Sequence, residues 1–203
     1  MATQGRSFAC RTLNYPTQPL GRILESLYKL IKQEQIRVHM KLDKFKQIGF
    51  ALSIILFPIM LLTGFLMHPN LLQMKALTTA QQLVERFHHN PVYHVGHLIV
   101  MFSVPIIIIV LVGTMTRLTN RGKLYGYWGA LIGVFGAFIL AVDKGALCLV
   151  LSAFDTIPDS QFNNLIPYLQ VIVDKAGLLF VLWLLPLLPV GAIIQAVGLI
   201  SSR

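Results

Sequence analysis

Charge is scarce in this sequence. Asp, Glu, Lys and Arg together make up 12% of the 203 residues, while hydrophobic residues make up 55%. A soluble domain carries roughly 25% charged residues. The apolar residues also gather into long runs that a water-soluble core does not need, so a soluble fold is excluded. Acid is scarcer still, with eight Asp and Glu against 17 Lys and Arg. Cysteine is limited to Cys10 and Cys148, too few for a disulfide framework. One lies in a basic tail and the other inside an apolar run, which places them on opposite sides of a membrane, and no mutual disulfide is expected. No Asn-x-Ser/Thr sequence occurs, so there is no sign of glycosylation. The first 22 residues lack the apolar core of a signal peptide. They are basic and acid-free, as is all of the chain before Glu25, and a cleaved transit peptide is the lesser reading of that composition.

Catalytic signatures are missing too. There is no phosphate loop or dinucleotide fingerprint, no His-Glu-x-x-His or cysteine-rich zinc motif, and no Gly-x-Ser-x-Gly elbow around Ser103 or Ser152. Cys148 has no base matched to it by spacing. No catalytic residue can be named. No nucleic-acid-binding signature accompanies the +9 net charge, and anionic lipid headgroups are the simpler partner for basic residues that flank apolar runs.

What is present is four apolar stretches, at about 48–67, 92–115, 125–154 and 175–200. Each reaches the ~20 residues that cross ~30 Å of hydrocarbon as a helix. Lipid requires the backbone to satisfy its own hydrogen bonds, and period-two alternation is absent, so helices are expected and a barrel is not. The fold class is all-α, an integral membrane four-helix bundle. Residues 1–47 form a basic tail and residues 48–203 the bundle. In the tail, Leu20, Ile23, Leu24, Leu27, Ile31, Val38, Leu42 and Phe45 recur at helical spacing among Lys and Arg, which predicts an amphipathic interfacial helix. A partner subunit could use the same face.

Orientation follows the basic residues. The tail, the loop holding Arg117, Arg121 and Lys123, and the terminal Arg203 carry 13 of the 17. The opposite side has Lys75, Arg86, Lys144 and Lys175, with five of the eight acids. Both termini are therefore expected on the cytoplasmic side of a bacterial inner membrane or an organelle membrane. On the other side, 68–91 should hold a short amphipathic helix through Leu77, Ala80, Val84 and Phe87. The segment from Asp155 to Pro167 should be looped, with room for one helical turn.

Helix faces at about 100° per residue place the polar groups. Gly126, Gly129, Gly133 and Gly136 share a stripe, read as close helix packing. Asp143 and Lys144 flank it. Adjacent helical residues point apart, so Lys144 is a poor partner for Asp143, which should look to another helix, His97 among the candidates. His68 ends one face of the first span. His94, His97 and Met101 share a face of the second, and Asp174 starts a face of the fourth. Five of the six histidines, all but His39, lie toward the outer side. His68, His94, His97, Asp143 and Asp174 therefore form a candidate metal cluster for Zn, Fe or Cu, and His94, His97 and Met101 candidate haem or copper ligands. His88 and His89 are read as exposed loop residues.

Three functions stay open: a small subunit of a larger membrane complex, or a homo-oligomer, with a structural role; a metal- or haem-dependent membrane enzyme or redox carrier; and a proton-coupled transporter. Transport is weakened by the absence of inverted repeats and of a polar relay across the span.

Overall fold

The computed structural model describes residues 18–68 and 77–202. Cys10, Arg6, Arg11, Lys75 and Arg203 lie outside them, as do the side chains of Leu20 and Ile23. Among the described residues every regular element is helical. In order these are α1 (Gln18–Leu66), α2 (Ala80–Phe87), α3 (Pro91–Met115), α4 (Gly122–Val142), a π turn (Asp143–Leu147), α5 (Cys148–Phe154), α6 (Asp159–Phe162), a short 3-10 turn (Asn163–Leu165), α7 (Ile166–Val173), a 3-10 helix (Gly177–Leu184) and α8 (Leu187–Ser201). The chain divides into two compact units, Met1–Gln47 and Ile48–Arg203, and the bounds of α1 run across the division.

In the first unit, Leu24, Leu27, Ile31, Val38, Leu42 and Phe45 are all exposed. Between them, Glu25 pairs with Lys29 at 2.7 Å and Glu34 with Arg37 at 3.2 Å, one turn apart. Such exposed pairs contribute only a few tenths of a kcal/mol each.

Among the described residues, four stretches are long and apolar enough to cross a membrane: Leu24–Leu66, Pro91–Met115, Gly122–Phe154 and Gly177–Ser201. The second unit is inverted relative to a soluble domain. Phe102, Phe138, Trp183 and Ile193 face outward, each more than half exposed, while Ser53, Ser103 and Gln195 are buried. Hydrocarbon is the solvent in which that arrangement costs least, because there polar groups must find partners inside. Ser53 and Ser103 donate to carbonyls of their own helices. Gln195 on α8 donates to Leu111 O of α3 at 2.8 Å and Gly126 O of α4 at 3.2 Å. Four helices of this length and composition suggest a multi-pass membrane protein.

The glycine stripe does what its spacing predicts. A Cβ on Gly136 would strike the backbone at Leu187 and Leu188, and one on Gly191 the backbone of Gly133. Helices α4 and α8 therefore touch main chain to main chain. Gly64 and Gly96 make a second close approach, between α1 and α3. Val104, Ile107, Leu111 and Ala137 fill the space between these contacts.

The fourth span departs from a plain helix. It runs as a 3-10 helix to Leu184 and becomes α only at Leu187. Pro186 and Pro189 lack the N–H that an α ladder would need, so the ladder restarts beyond Pro186.

The end of the bundle away from the α3–α4 loop is capped by a second small core. Ala80, Leu83, Phe87, Tyr93, Leu151, Phe162 and Leu169 bury one another there. The cap is more helical than its sequence led us to expect, because α7 packs against α2. Gln170 on α7 accepts from the Ala80 N–H at 2.7 Å and donates to Thr78 O.

Candidate metal centre

The connection from α2 to α3 is three residues, His88, His89 and Asn90, and it is held tightly. Asn90 caps α3 by accepting from the Tyr93 N–H at 3.2 Å, while its amide donates to Arg86 O. Pro91 takes the first turn of α3, where no backbone donor is required. His89 adopts a φ of 52°, a left-handed conformation that histidine enters more readily than most residues. Across from this turn, α5 ends at Phe154 and α6 begins at Asp159, just after Pro158, which brings Asp155 and Asp159 opposite the two imidazoles.

Asp155 is the hub. Its Oδ1 accepts from His88 Nδ1 at 2.7 Å and from the His89 backbone N–H at 2.9 Å. His94 Nε2 stands 3.4 Å from Oδ2, near enough for charge attraction but misaligned for a hydrogen bond, so that buried nitrogen is left without one. Burial by itself would push the Asp155 carboxyl up. The His89 N–H, the His88 ring and the neighbouring His94 outweigh it and hold the carboxyl below its usual range.

With Nδ1 facing Asp155, the His88 ring turns its Nε2 outward. That nitrogen faces Asp159 Oδ1 at 3.3 Å, and His89 Nε2 faces the same oxygen at 3.2 Å. Ligand atoms bound at ~2.0–2.2 Å around a tetrahedral ion stand about 3.3–3.6 Å apart. Both nitrogen-to-oxygen distances are near that spacing, and the three ligand atoms all lie within 4.8 Å of one another. His88 and His89 stack at 4.0 Å between centroids, and Phe162 lies 4.1 Å under His88. Asp159 and His89 are mostly exposed, which leaves a fourth position open to water. Among the described residues, this is the group of three whose ligand atoms lie within 4.8 Å of one another.

The five residues marked from sequence divide between other places. His68, His97 and Asp143 line one cavity with Tyr93 and Lys144. The His68 and His97 rings are 5.5 Å apart, and His97 Nδ1 donates to Tyr93 O at 2.8 Å. His94 turns instead toward Asp155, and its Nδ1 stands 3.8 Å from the buried thiol of Cys148. Asp174 accepts from Gln170 at 2.8 Å, at the end of α7. The Met101 sulfur lies against Gly145 in the π turn.

Two expectations are corrected. Lys144 pairs directly with Asp143 at 2.8 Å, although ideal helix geometry argued against it. Both residues open the π turn, whose wider backbone, with the flexible lysine stem, lets the ammonium fold back onto the neighbouring carboxylate. His88 is not an exposed loop residue, since its side chain is only 18% exposed. The signal for the site was available as adjacent histidines in one loop and two aspartates four residues apart in another, but only the fold sets them face to face.

No family model, curated protein or solved structure matches this chain.

Proposed function

We propose that this protein is a multi-pass membrane protein that holds a divalent transition-metal ion at the capped end of its bundle, through His88 Nε2, His89 Nε2 and Asp159 Oδ1. The observation that carries this reading is the orientation of His88. Asp155 accepts a hydrogen bond from the Nδ1–H, so in that tautomer the lone pair of Nε2 is directed at a carboxylate oxygen 3.3 Å away. Two electron-rich atoms so placed need a cation or a proton between them. A carboxylate behind a metal-binding histidine is also the common way to orient the ring and raise its basicity. Imidazole with carboxylate suits Zn, Cu or Fe. The open fourth position fits exchange or delivery of the ion, or a bound water. A haem reading through His97 and Met101 has less support, because the two lie a turn apart on α3, whereas axial ligands approach from opposite faces of the ring.

The test is equilibrium binding of Zn²⁺ and Cu²⁺ to the full chain in detergent, with elemental analysis. One ion per chain is expected. His88→Ala, His89→Ala and Asp159→Asn should each weaken binding by at least on the order of 10-fold, and His68→Ala should not. Affinity should fall in acid, where protons compete for the imidazoles. An unchanged affinity in the triple variant would remove the proposal.

A second reading is favoured by the exposed apolar residues of α1 before residue 48. They fit contact with an anionic membrane surface or with another subunit of a membrane complex, and the metal centre would then serve that assembly. The positive-inside distribution supports termini on the cytoplasmic side.

A further inference from the structure

The metal trio leaves one nucleophile unused. Cys148 opens α5, and its side chain is buried. A buried cysteine is ordinarily a small hydrophobic filler. This one has an imidazole and a carboxylate in line with it. Cys148 and Asp155 are seven residues apart, so two helical turns set them on one face about 10 Å from each other. The His94 ring, from the start of α3, enters the space between them. Its Nδ1 stands 3.8 Å from the sulfur, and its Nε2 3.4 Å from Asp155 Oδ2. Spacing along the chain offered Cys148 no base, and the fold provides one.

At rest the thiol holds its proton and donates to His94 O at 3.4 Å. Rotation about the Cβ–Sγ bond swings that proton toward Nδ1 without moving a heavy atom. The opposite nitrogen, Nε2, is buried and has no hydrogen bond. A ring that takes the thiol proton becomes an imidazolium, and the carboxylate beside Nε2 stabilises the new charge. Asp155 is free to do this because His88 uses its other oxygen, Oδ1.

Cys148 also lines a cavity of about 280 Å³, where sulfur can meet a substrate. Leu83, Leu151, Ile172 and Leu185 stand on the same wall, so the group held there is aliphatic. The rest of the wall is polar, with Tyr93 and the Asp143–Lys144 pair, and suits a carbonyl. The volume sits just below the usual range for ligand pockets, ~300–1,000 Å³, which leaves room for a short acyl chain.

We infer that Cys148 is an acyl-accepting nucleophile, with His94 as its general base and Asp155 as a positioning residue, and that aliphatic thioesters are the substrate class. Sγ attacks the carbonyl carbon of the thioester. The new Sγ–C bond forms and the bond from that carbon to the departing sulfur breaks. His94 Nδ1 takes the thiol proton and passes it to the departing sulfur, which leaves as a free thiol. Nothing is oxidised or reduced. The step uses none of the three metal ligands.

The test uses the full chain in a neutral maltoside detergent, in a Cys10→Ser background, with a chelator present so that bound metal plays no part. The probe is the hexanoyl thioester of N-acetylcysteamine. Intact mass should show one hexanoyl group per chain, lost in Cys148→Ala, and released N-acetylcysteamine gives the rate. His94→Ala should slow acylation by about 10²-fold or more. Added imidazole should restore part of that rate, a gain that misfolding cannot produce. Asp155→Asn should lower the rate at saturating thioester and leave the half-saturating concentration unchanged. A succinyl thioester, which brings a carboxylate against the aliphatic wall, should react at least about tenfold more slowly. No adduct on Cys148, an adduct formed as fast in His94→Ala as in the parent, or a slow His94→Ala that imidazole fails to restore would overturn the assignment. Equal rates for the two thioesters would overturn the substrate class. Zn²⁺ affinity should be the same in Cys148→Ala as in the parent, so failure here is distinct from failure of the metal proposal.

Discussion

Asp155 shows how much one side chain can organise. Its carboxylate receives the ring of His88 and the main chain of His89, and so fixes the turn between α2 and α3 from the far side of the cap. The carboxyl is held below its usual range in the folded protein. The stability it contributes is therefore present above the ordinary carboxylate value and lost as pH falls through the lower folded value. Asp155→Asn should cost about 1–3 kcal/mol, flatten the acid limb of the stability profile below about pH 4, and weaken metal binding by on the order of 10-fold without removing a ligand. Thermal unfolding across pH in detergent checks the first two. An acid limb as steep as that of the parent protein would contradict the assignment.

At the scale of elements, the bundle is held by contacts that have no counterpart in an oily core. Small residues let α4 and α8 meet backbone to backbone, and Gln195 bridges from α8 to carbonyls on α3 and α4. Lipid tails are as apolar as leucine, so helices gain from close packing and polar bridges rather than from expelling water. Gln195→Met keeps the volume and removes the donor. It should lower stability by about 1 kcal/mol, within the measured range for such interhelical bonds. Unfolding in mixed micelles would report it, and a neutral result would show that the glycine contact alone sets the pairing. The π turn has a comparable local effect, since it lets two oppositely charged neighbours close an ion pair at 2.8 Å within a stretch long and apolar enough to cross a membrane. Such turns often mark functional sites, and this one contributes both charges to the cavity wall.

For the molecule as a whole, the uneven placement of Lys and Arg makes a topological statement. With 13 of 17 basic residues in the tail, the α3–α4 loop and the C-terminus, both ends should face the cytoplasm and the metal trio the opposite compartment. In a Cys10→Ser background, an impermeant maleimide should reach Thr156→Cys in intact cells. It should reach Thr119→Cys only after permeabilisation. The reverse pattern would invert the protein and place the histidines inside.

Four spans, their helical form, the glycine stripe and a concentration of histidines at one end were all legible in the sequence. Each depends on composition or on period along a single helix, and hydrocarbon leaves a backbone few alternatives. The candidate centre was not legible. His94 and His97 carry a regular helical spacing that drew attention, whereas His88 and His89 sit in one connection and Asp159 opens the short helix α6, where spacing along the chain says nothing about distance in space. Only the packing of α7 on α2 and the ending of α5 bring Asp155 and Asp159 to the imidazoles. The Asp143–Lys144 pair was hidden for a related reason, because a local widening of the helix overrides the ideal angle between neighbours. What the sequence determined by itself was the helical class and the four segments long and apolar enough to cross a membrane. The tertiary structure alone decided which polar side chains meet, because those meetings depend on loop geometry and helix register set by contacts between elements far apart in the chain.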